Sequence, residues 1–279
     1  MKIHPRTIVV HVLAWGAGVI WFIPFLGVLM SSIRPTAEIA RAGWWSLSPF
    51  TVTLDNFVLV LTNEIFPMLP AMGNSFLVVI PATAIPVIVG SLAGYGFARF
   101  SLPIRDYLFL FIVLLMAVPQ MMVAIPIFGL MDDINLVNNL LGLIILHAAW
   151  GLPWIILFMR NFFGQLPVEI EEAARVDGAG DLRVFFRVVL PMALPALASL
   201  IVLQFMWVWS DFFFAQILVQ DTSQFVATQI VPRVAIGAYH RDWGALTAAV
   251  LLVMLVPILV YTLLQKYYIR GMIGWTVKG

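Results

Sequence analysis

The chain alternates long apolar runs with short polar connections. The runs occupy about Thr7–Met30, Asn74–Phe97, Tyr107–Gly129, Asn139–Met159, Met192–Val219 and Leu246–Leu264. A helix needs about 20 residues to cross the hydrocarbon core of a bilayer, so each run predicts one crossing. The expected fold is an all-α membrane protein with six transmembrane helices, both termini on one side and a polar loop between spans 4 and 5. This divides the chain into a terminal segment 1–6, a membrane domain 7–268 with its loop at 160–191, and a tail 269–279. Proline and glycine punctuate the spans: Pro81 and Pro86, Pro119 and Pro126, Gly151 and Pro153, and Pro257. Membrane helices tolerate them because neighbouring groups re-satisfy the freed carbonyls. Pro119 and Pro126, flanking Gln120, suggest a bent, cavity-lining helix.

Composition agrees with the pattern. Of 279 residues, 62% are hydrophobic and 10% charged, with a mean hydropathy of +1.02, where a soluble domain carries about 25% charged residues. A signal peptide is not expected at the start, since the first run is too long for one. Cysteine is absent, which excludes disulfides, thiolate metal sites and cysteine nucleophiles. No basic cluster suggests nucleic acid. His4, His11, His147 and His240 lack metal-ligand spacing, and no cofactor or metal is expected. There is no G-x-x-x-x-G-K-[ST] phosphate loop. With the N-terminus inside, eleven of the fifteen Lys and Arg residues fall on inner segments, leaving Arg34, Arg41, Arg233 and Arg241 outside. The positive-inside rule therefore places both termini and the 160–191 loop in the cytoplasm. The longest outer segment, Ser31 to about Met72, carries Trp44 and Trp45, suited to anchoring at the headgroups or to touching an external partner. Asp132 and Asp133 read as a solvated turn.

The 160–191 loop is the most polar block. Pro167 suits the start of a short helix. Glu169, Glu171 and Glu172 come early in it and Arg175 late, as the helix dipole favours. Gly178 is a ready stop. Asp181 can cap a second helix, which Pro191 limits. Ala173 and Ala174 keep the first helix slim, so that another protein can approach its backbone.

Asp211 is the unusual charge, because it lies inside the fifth run, where a carboxylate is costly and faces an interior or a watery cavity. On a continuous helix, Gln204, Trp207 or Val208, Asp211 and Ala215 share one stripe, a face able to stack and hydrogen-bond a sugar. Asp211 and His147 are also at compatible depths for an intramembrane enzyme, though no motif joins them. A non-transporting scaffold is the other alternative.

Glu171-Glu172-Ala173-Ala174, Asp177-Gly178 and Val188-x-Leu190-Pro191 resemble the cytoplasmic "EAA" loop of the membrane subunits of binding-protein-dependent ABC importers. Gly94-Tyr95-Gly96-Phe97-Ala98-Arg99-Phe100, Arg160-Asn161-Phe162-Phe163 and the ending Gln265-Lys266-Tyr267-Tyr268-Ile269-Arg270-Gly271-Met272 are similar to the carbohydrate-uptake group, in particular its shorter six-span permease. In that group a Trp-Asn-Asp/Glu-Phe run resembles Trp209-Ser210-Asp211-Phe212, with Ser210 replacing asparagine. Ile273 and Trp275 depart from the group's tail. The resemblance implies a non-enzymatic permease subunit in the inner membrane of a prokaryote. It also implies a second permease subunit, two ATP-hydrolysing subunits at the loop, an external solute-binding protein and surrounding lipid. Glu171, Glu172, Ala173, Ala174, Asp177, Gly178, Leu190 and Pro191 would form the coupling loop. Gln204, Trp207, Ser210 and Asp211 would line the solute pathway.

Overall fold

The computed structural model describes residues 5–101, 103–234 and 242–276, with side chains as far as 266. Every regular element among them is helical. Four helices are long and apolar enough to cross a membrane, and up to six if each of two bent helix pairs counts as one span. The chain folds as two compact units: residues 1–70 with 229–255, and residues 71–228 with 256–279.

In the first unit α1 (Pro5–Ser32) is a 28-residue helix. Its described side chains from Arg6 to Leu26 are exposed, and Gly27 is the first covered position. There the indole of Trp44 lies 3.2 Å from where a Cβ would sit. The two tryptophans thus divide: Trp44 packs on α1, whereas Trp45 is exposed. The segment after α1 is organised around a fully buried Arg34. Its guanidinium donates to the carbonyls of Trp44, Ser46 and Pro49 at 3.2, 2.9 and 2.7 Å and pairs with Glu38 at 3.2 Å. Two short helices, α2 (Thr36–Ala42) and α3 (Asp55–Leu61), build the rest. Asn56 of α3 donates to the carbonyls of Ser32 and Arg34, both at 2.8 Å.

In the second unit α4 (Met68–Arg99, entering from the first) and α7 (Leu140–Gly164) run continuously through their prolines. Gly94 lets them touch: a Cβ there would meet Met159 Cβ at 2.7 Å and the backbone nitrogen of Arg160 at 2.9 Å. The third apolar run is not one helix. It divides into α5 (Arg105–Leu115), a 3-10 turn at Gln120–Val123 and α6 (Ala124–Asp133), with a 91° bend. Pro119 marks that break, but Pro126 sits in the first turn of α6, where a missing N–H costs nothing. Asp132 and Asp133 are exposed at the end of α6.

The fifth run also departs from one continuous helix over Met192–Val219. A helical stretch made of α9 (Asp181–Val184), a π turn and α10 (Leu190–Met192) turns by 77° into α11 (Leu194–Trp209). After three non-helical residues, α12 (Phe213–Leu218) follows. Pro195 explains the first break, since it has no N–H for the carbonyl of Pro191 and its ring crowds that carbonyl. The chain continues through α13 (Ala227–Val234) to α14 (Trp243–Thr276), which runs well past the predicted Leu264. His4, His240 and Arg241, and the side chains of the tail, lie outside the described residues.

Candidate functional site: an anchored helix and a broken span

Helix α8 (Val168–Val176) follows Pro167, which occupies the N-cap position rather than the first turn. Its amphipathic pattern sends one edge inward. Glu171 is 2% exposed. One carboxylate oxygen accepts from Arg99 Nε at 2.7 Å and the other from the Tyr95 hydroxyl at 2.8 Å. Arg99 also donates to the Leu166 carbonyl at 3.0 Å. The last turn of α4 therefore grips both the entry to α8 and its middle. Charge-assisted bonds of this kind are about twice as strong as neutral ones. Tyr95 is set by the rings of Phe163 and Phe185, with centroids 5.7 and 5.0 Å away. Ala174 packs against the same core.

Helix α8 ends at Val176, Asp177 is its C-cap, and Gly178 adopts φ +83°. The amides of Gly178 and Ala179 return to the carbonyls of Arg175 and Ala174, both at 3.0 Å. Asp181 does not cap the next helix. Gly180 holds the N-cap position, and no side chain bonds there. The Asp181 carboxylate instead accepts from Arg175 Nε at 3.2 Å. That bond is the chief reason the Arg175 guanidinium holds its proton more firmly than usual. Beyond Val184 a wide π turn spans Phe185–Val189 and keeps Phe185 and Val189 buried. Leu190 packs against the core from its edge. The other edge of the loop is bare: Val176 is 87% and Leu182 70% exposed, and Glu172, Ala173, Asp177 and Pro191 are exposed beside them.

A second polar centre lies among α4, α7 and α11. Gln204 is fully buried. Its carbonyl oxygen accepts from Trp154 Nε1 at 3.0 Å, and its amide donates to the carbonyls of Ala82 at 3.2 Å and His147 at 3.4 Å. Gly151 makes the room, since a Cβ there would sit 2.5 Å from the Gln204 amide. The stripe expected to join Gln204 to Asp211 and Ala215 does not form, because α11 stops at Trp209. Asp211 stands in the break. Its carboxylate accepts from the amides of Phe214 (3.4 Å) and Ala215 (3.0 Å), and one of its oxygens lies 3.5 Å from His147 Nε2. Its carbonyl accepts from Thr228 Oγ1 at 2.6 Å. Here an acid inside an apolar run is satisfied by the backbone it interrupts. A cavity of about 10 Å3 adjoins it, lined by Ser75, His147, Trp209 and Asp211 among others. That space suits one water and not a sugar. Among the described residues no group of three or more His, Cys, Asp and Glu is placed to hold a metal.

Residues 86–274 match the model of the binding-protein-dependent transport system inner membrane component family. The chain belongs to this family. The permease is 55% identical over 278 residues to a probable ABC transporter permease protein of Pyrococcus horikoshii, covering 100% of both chains. It is 34% identical over 250 residues to an alpha-glucoside transport system permease protein of Rhizobium meliloti, covering 86% of this chain and 64% of that one. Its fold matches a chain of a bacterial ABC transporter involved in import of the acidic polysaccharide alginate, with a TM-score of 0.80 at 22% identity, over 96% of this chain and 100% of that one.

Within the permease, the structure brings together the coupling-loop residues expected from sequence but divides their directions. Glu171 and Ala174 face inward, while Glu172, Ala173 and Asp177 face out. The pathway candidates separate as well: Gln204 is enclosed, whereas Trp207 and Ser210 are exposed. Four residues outside the expected site set also fasten these elements. Tyr95 and Arg99 hold Glu171. Ser75 accepts from the Ala227 amide at 2.8 Å, and Asn74 donates to the carbonyls of Ser223 and Phe225, both at 3.0 Å. Gly94-Tyr95-Gly96 beside Arg99 was a usable signal, since a phenol and a cation closing an apolar helix need a polar partner.

Proposed function

We propose that this permease forms half of the translocation pathway of an ATP-driven importer for a carbohydrate or a related polar solute. A second permease subunit completes the pathway, two ATPase subunits dock on the 160–191 loops, and an external binding protein delivers solute. The chain itself hydrolyses no ATP. The alpha-glucoside relative supports the solute class. The charge asymmetry supports a cytoplasmic location for the loop and both termini.

The observation that carries this reading is the two-sidedness of α8. Its inner edge is tied to α4 through Glu171, Arg99 and Tyr95. Its outer edge leaves Val176 uncovered, and Leu182 is uncovered just beyond the turn that follows, on a polar loop outside the apolar spans. Such a helix transmits a push, because a partner seated on the outer edge moves α8 and α4 together. Closure of the ATPases would thereby tilt the spans. Gln204 fastens α4, α7 and α11, so these helices move as a group. Contact with solute falls to Trp207 and Ser210, with Asp211 fixing the break that presents them.

The test is to purify the assembled importer and measure ATP hydrolysis with candidate solutes and the binding protein. A retained ATPase stimulated by an oligosaccharide or polyol is the expected result. Loss of every ATPase under several gentle conditions would count against the reading. Reporter fusions after Lys278 and near Asp132 should be cytoplasmic and external, respectively.

A further inference from the structure

His147 joins the Gln204 centre to the Asp211 break. It is buried within α7. Its backbone carbonyl accepts from the Gln204 amide at 3.4 Å. Its ring stands edge-on to Phe214, with centroids 6.1 Å apart, and its Nε2 lies 3.5 Å from an oxygen of Asp211. Among the described residues no other residue bonds to Gln204 and pairs with Asp211. The rest of the break is held by neutral groups. The Asp211 carboxylate accepts from the amides of Phe214 and Ala215, which belong to α12, and its carbonyl accepts from the Thr228 hydroxyl. The contact with His147 is therefore the tie from this carboxylate to a different spanning helix.

The strength of that tie depends on one proton. Imidazole is the side chain whose charge ordinarily changes between about pH 5 and pH 8. At 3.5 Å a neutral N–H makes a weak bond, whereas an imidazolium is drawn to a carboxylate across an interior that screens charge poorly. Nothing else titrates beside the pair. On the wall of the small cavity next to it, α4 contributes Ser75 and Val78, α11 Val208 and Trp209, and α12 Ala215. Asp132 and Asp133 of α6, which packs on α12, are exposed and off this wall. The Asp211 side chain keeps 10% of its surface exposed, so a proton has a way in. Trp207 lies in the last turn of α11, and Ser210 is its C-cap, directly before Asp211. We propose that His147 is a positioning residue for transport: in its protonated form it pins the Asp211 break to α7 and so sets how Trp207 and Ser210 meet the solute. The consequence for solute rests on the importer reading, whereas the pairing itself does not.

The test has two readings on the assembled importer in lipid. The chain has no cysteine, so Phe212→Cys, at an exposed position in the break, carries a single nitroxide. Its spectrum should show a more mobile label at about pH 8 than at about pH 5. Added His147→Gln keeps an N–H but not the titration, and added Asp211→Asn removes the charge that answers it. Both should leave the label equally mobile at the two pH values. The second reading is uptake by the unlabelled importer, with KM for His147→Gln divided by KM for wild type at each pH. The ratio cancels the pH dependence of the binding protein and the ATPases. It should be about ten near pH 5 and close to one near pH 8, the difference between a charged and a neutral hydrogen bond. A label that ignores pH in the otherwise unchanged chain, or responds alike in both variants, would overturn the pairing. A KM ratio independent of pH would overturn the positioning role even where the label responds. Absence of solute uptake by wild type at either pH would contradict the importer reading, and the role in transport with it.

Discussion

Glu171 and Asp211 are both carboxylates withdrawn from solvent in the same compact unit, with 2% and 10% of their side chains exposed. They are held by opposite kinds of partner. Glu171 sits on an intact helix and takes its bonds from the side chains of a distant one, Tyr95 and Arg99 on α4. Asp211 sits where a helix fails and takes its bonds from amides three and four residues on. The first arrangement ties two elements into one lever. The second stabilises a gap, and so shapes the end of a span, with only His147 of another helix close to the carboxylate, at 3.5 Å. A buried acid therefore carries no fixed meaning in a permease of this kind. What it accepts from decides whether it transmits motion or sets geometry.

The difference predicts unequal costs. Glu171→Leu leaves Arg99 buried without its counter-charge, a change that costs about 3–5 kcal/mol. Thermal unfolding of the purified permease should show this as the largest loss among the single variants, and adding Arg99→Leu should restore part of it. Strictly additive losses from the two changes would contradict a direct pair. Gln204→Leu should cost about 1–3 kcal/mol, because the Trp154 N–H loses its acceptor and the site must adapt around Gly151. Asp211→Ala removes cap-like bonds and should cost about 1 kcal/mol. Asp211→Asn keeps an acceptor oxygen, and should leave assembly intact while lowering uptake. Failure of the Asn variant to assemble would make the charge itself structural. Arg175→Ala removes half-exposed contacts to Glu171 and Asp181, and should change stability by no more than about 1 kcal/mol.

The contrast also marks what sequence could carry. The α8 turn was readable because its determinants are local: Pro167, the early acids and Gly178 lie within a dozen residues, and each has a backbone reason to be there. The helices were readable as apolar runs, but an apolar run does not distinguish a straight helix from a bent one. The breaks beside Pro119, at Ala193 and at Ser210–Phe212 are backbone hydrogen-bond events. Pro195 was an available sign of the second, and Ser210-Asp211 inside an apolar run was a capping signal for the third. Burial of Glu171 was not readable from spacing. Its partners are 72 and 76 residues away, and only the packing of α4 on α7 at Gly94 brings them near. The same holds for Arg34, whose four partners are carbonyls and a carboxylate scattered along an irregular segment.

In the proposed importer α8 and its turn are a rigid link between the ATPase and the spans, and Gly178 isolates that role. A Cβ at this position meets nothing within 4 Å, so the penalty of substitution is chiefly the left-handed backbone at φ +83°. A β-branched residue there costs about 1–3 kcal/mol of strain, enough to tilt or fray the turn while the spans stay inserted. Asparagine tolerates the conformation far better. The measurement is solute uptake and solute-stimulated ATP hydrolysis on one purified, assembled complex carrying Gly178→Val or Gly178→Asn. Both activities should fall together in the valine variant and persist in the asparagine variant. Full coupling with valine would mean that the loop is only a solvated connection.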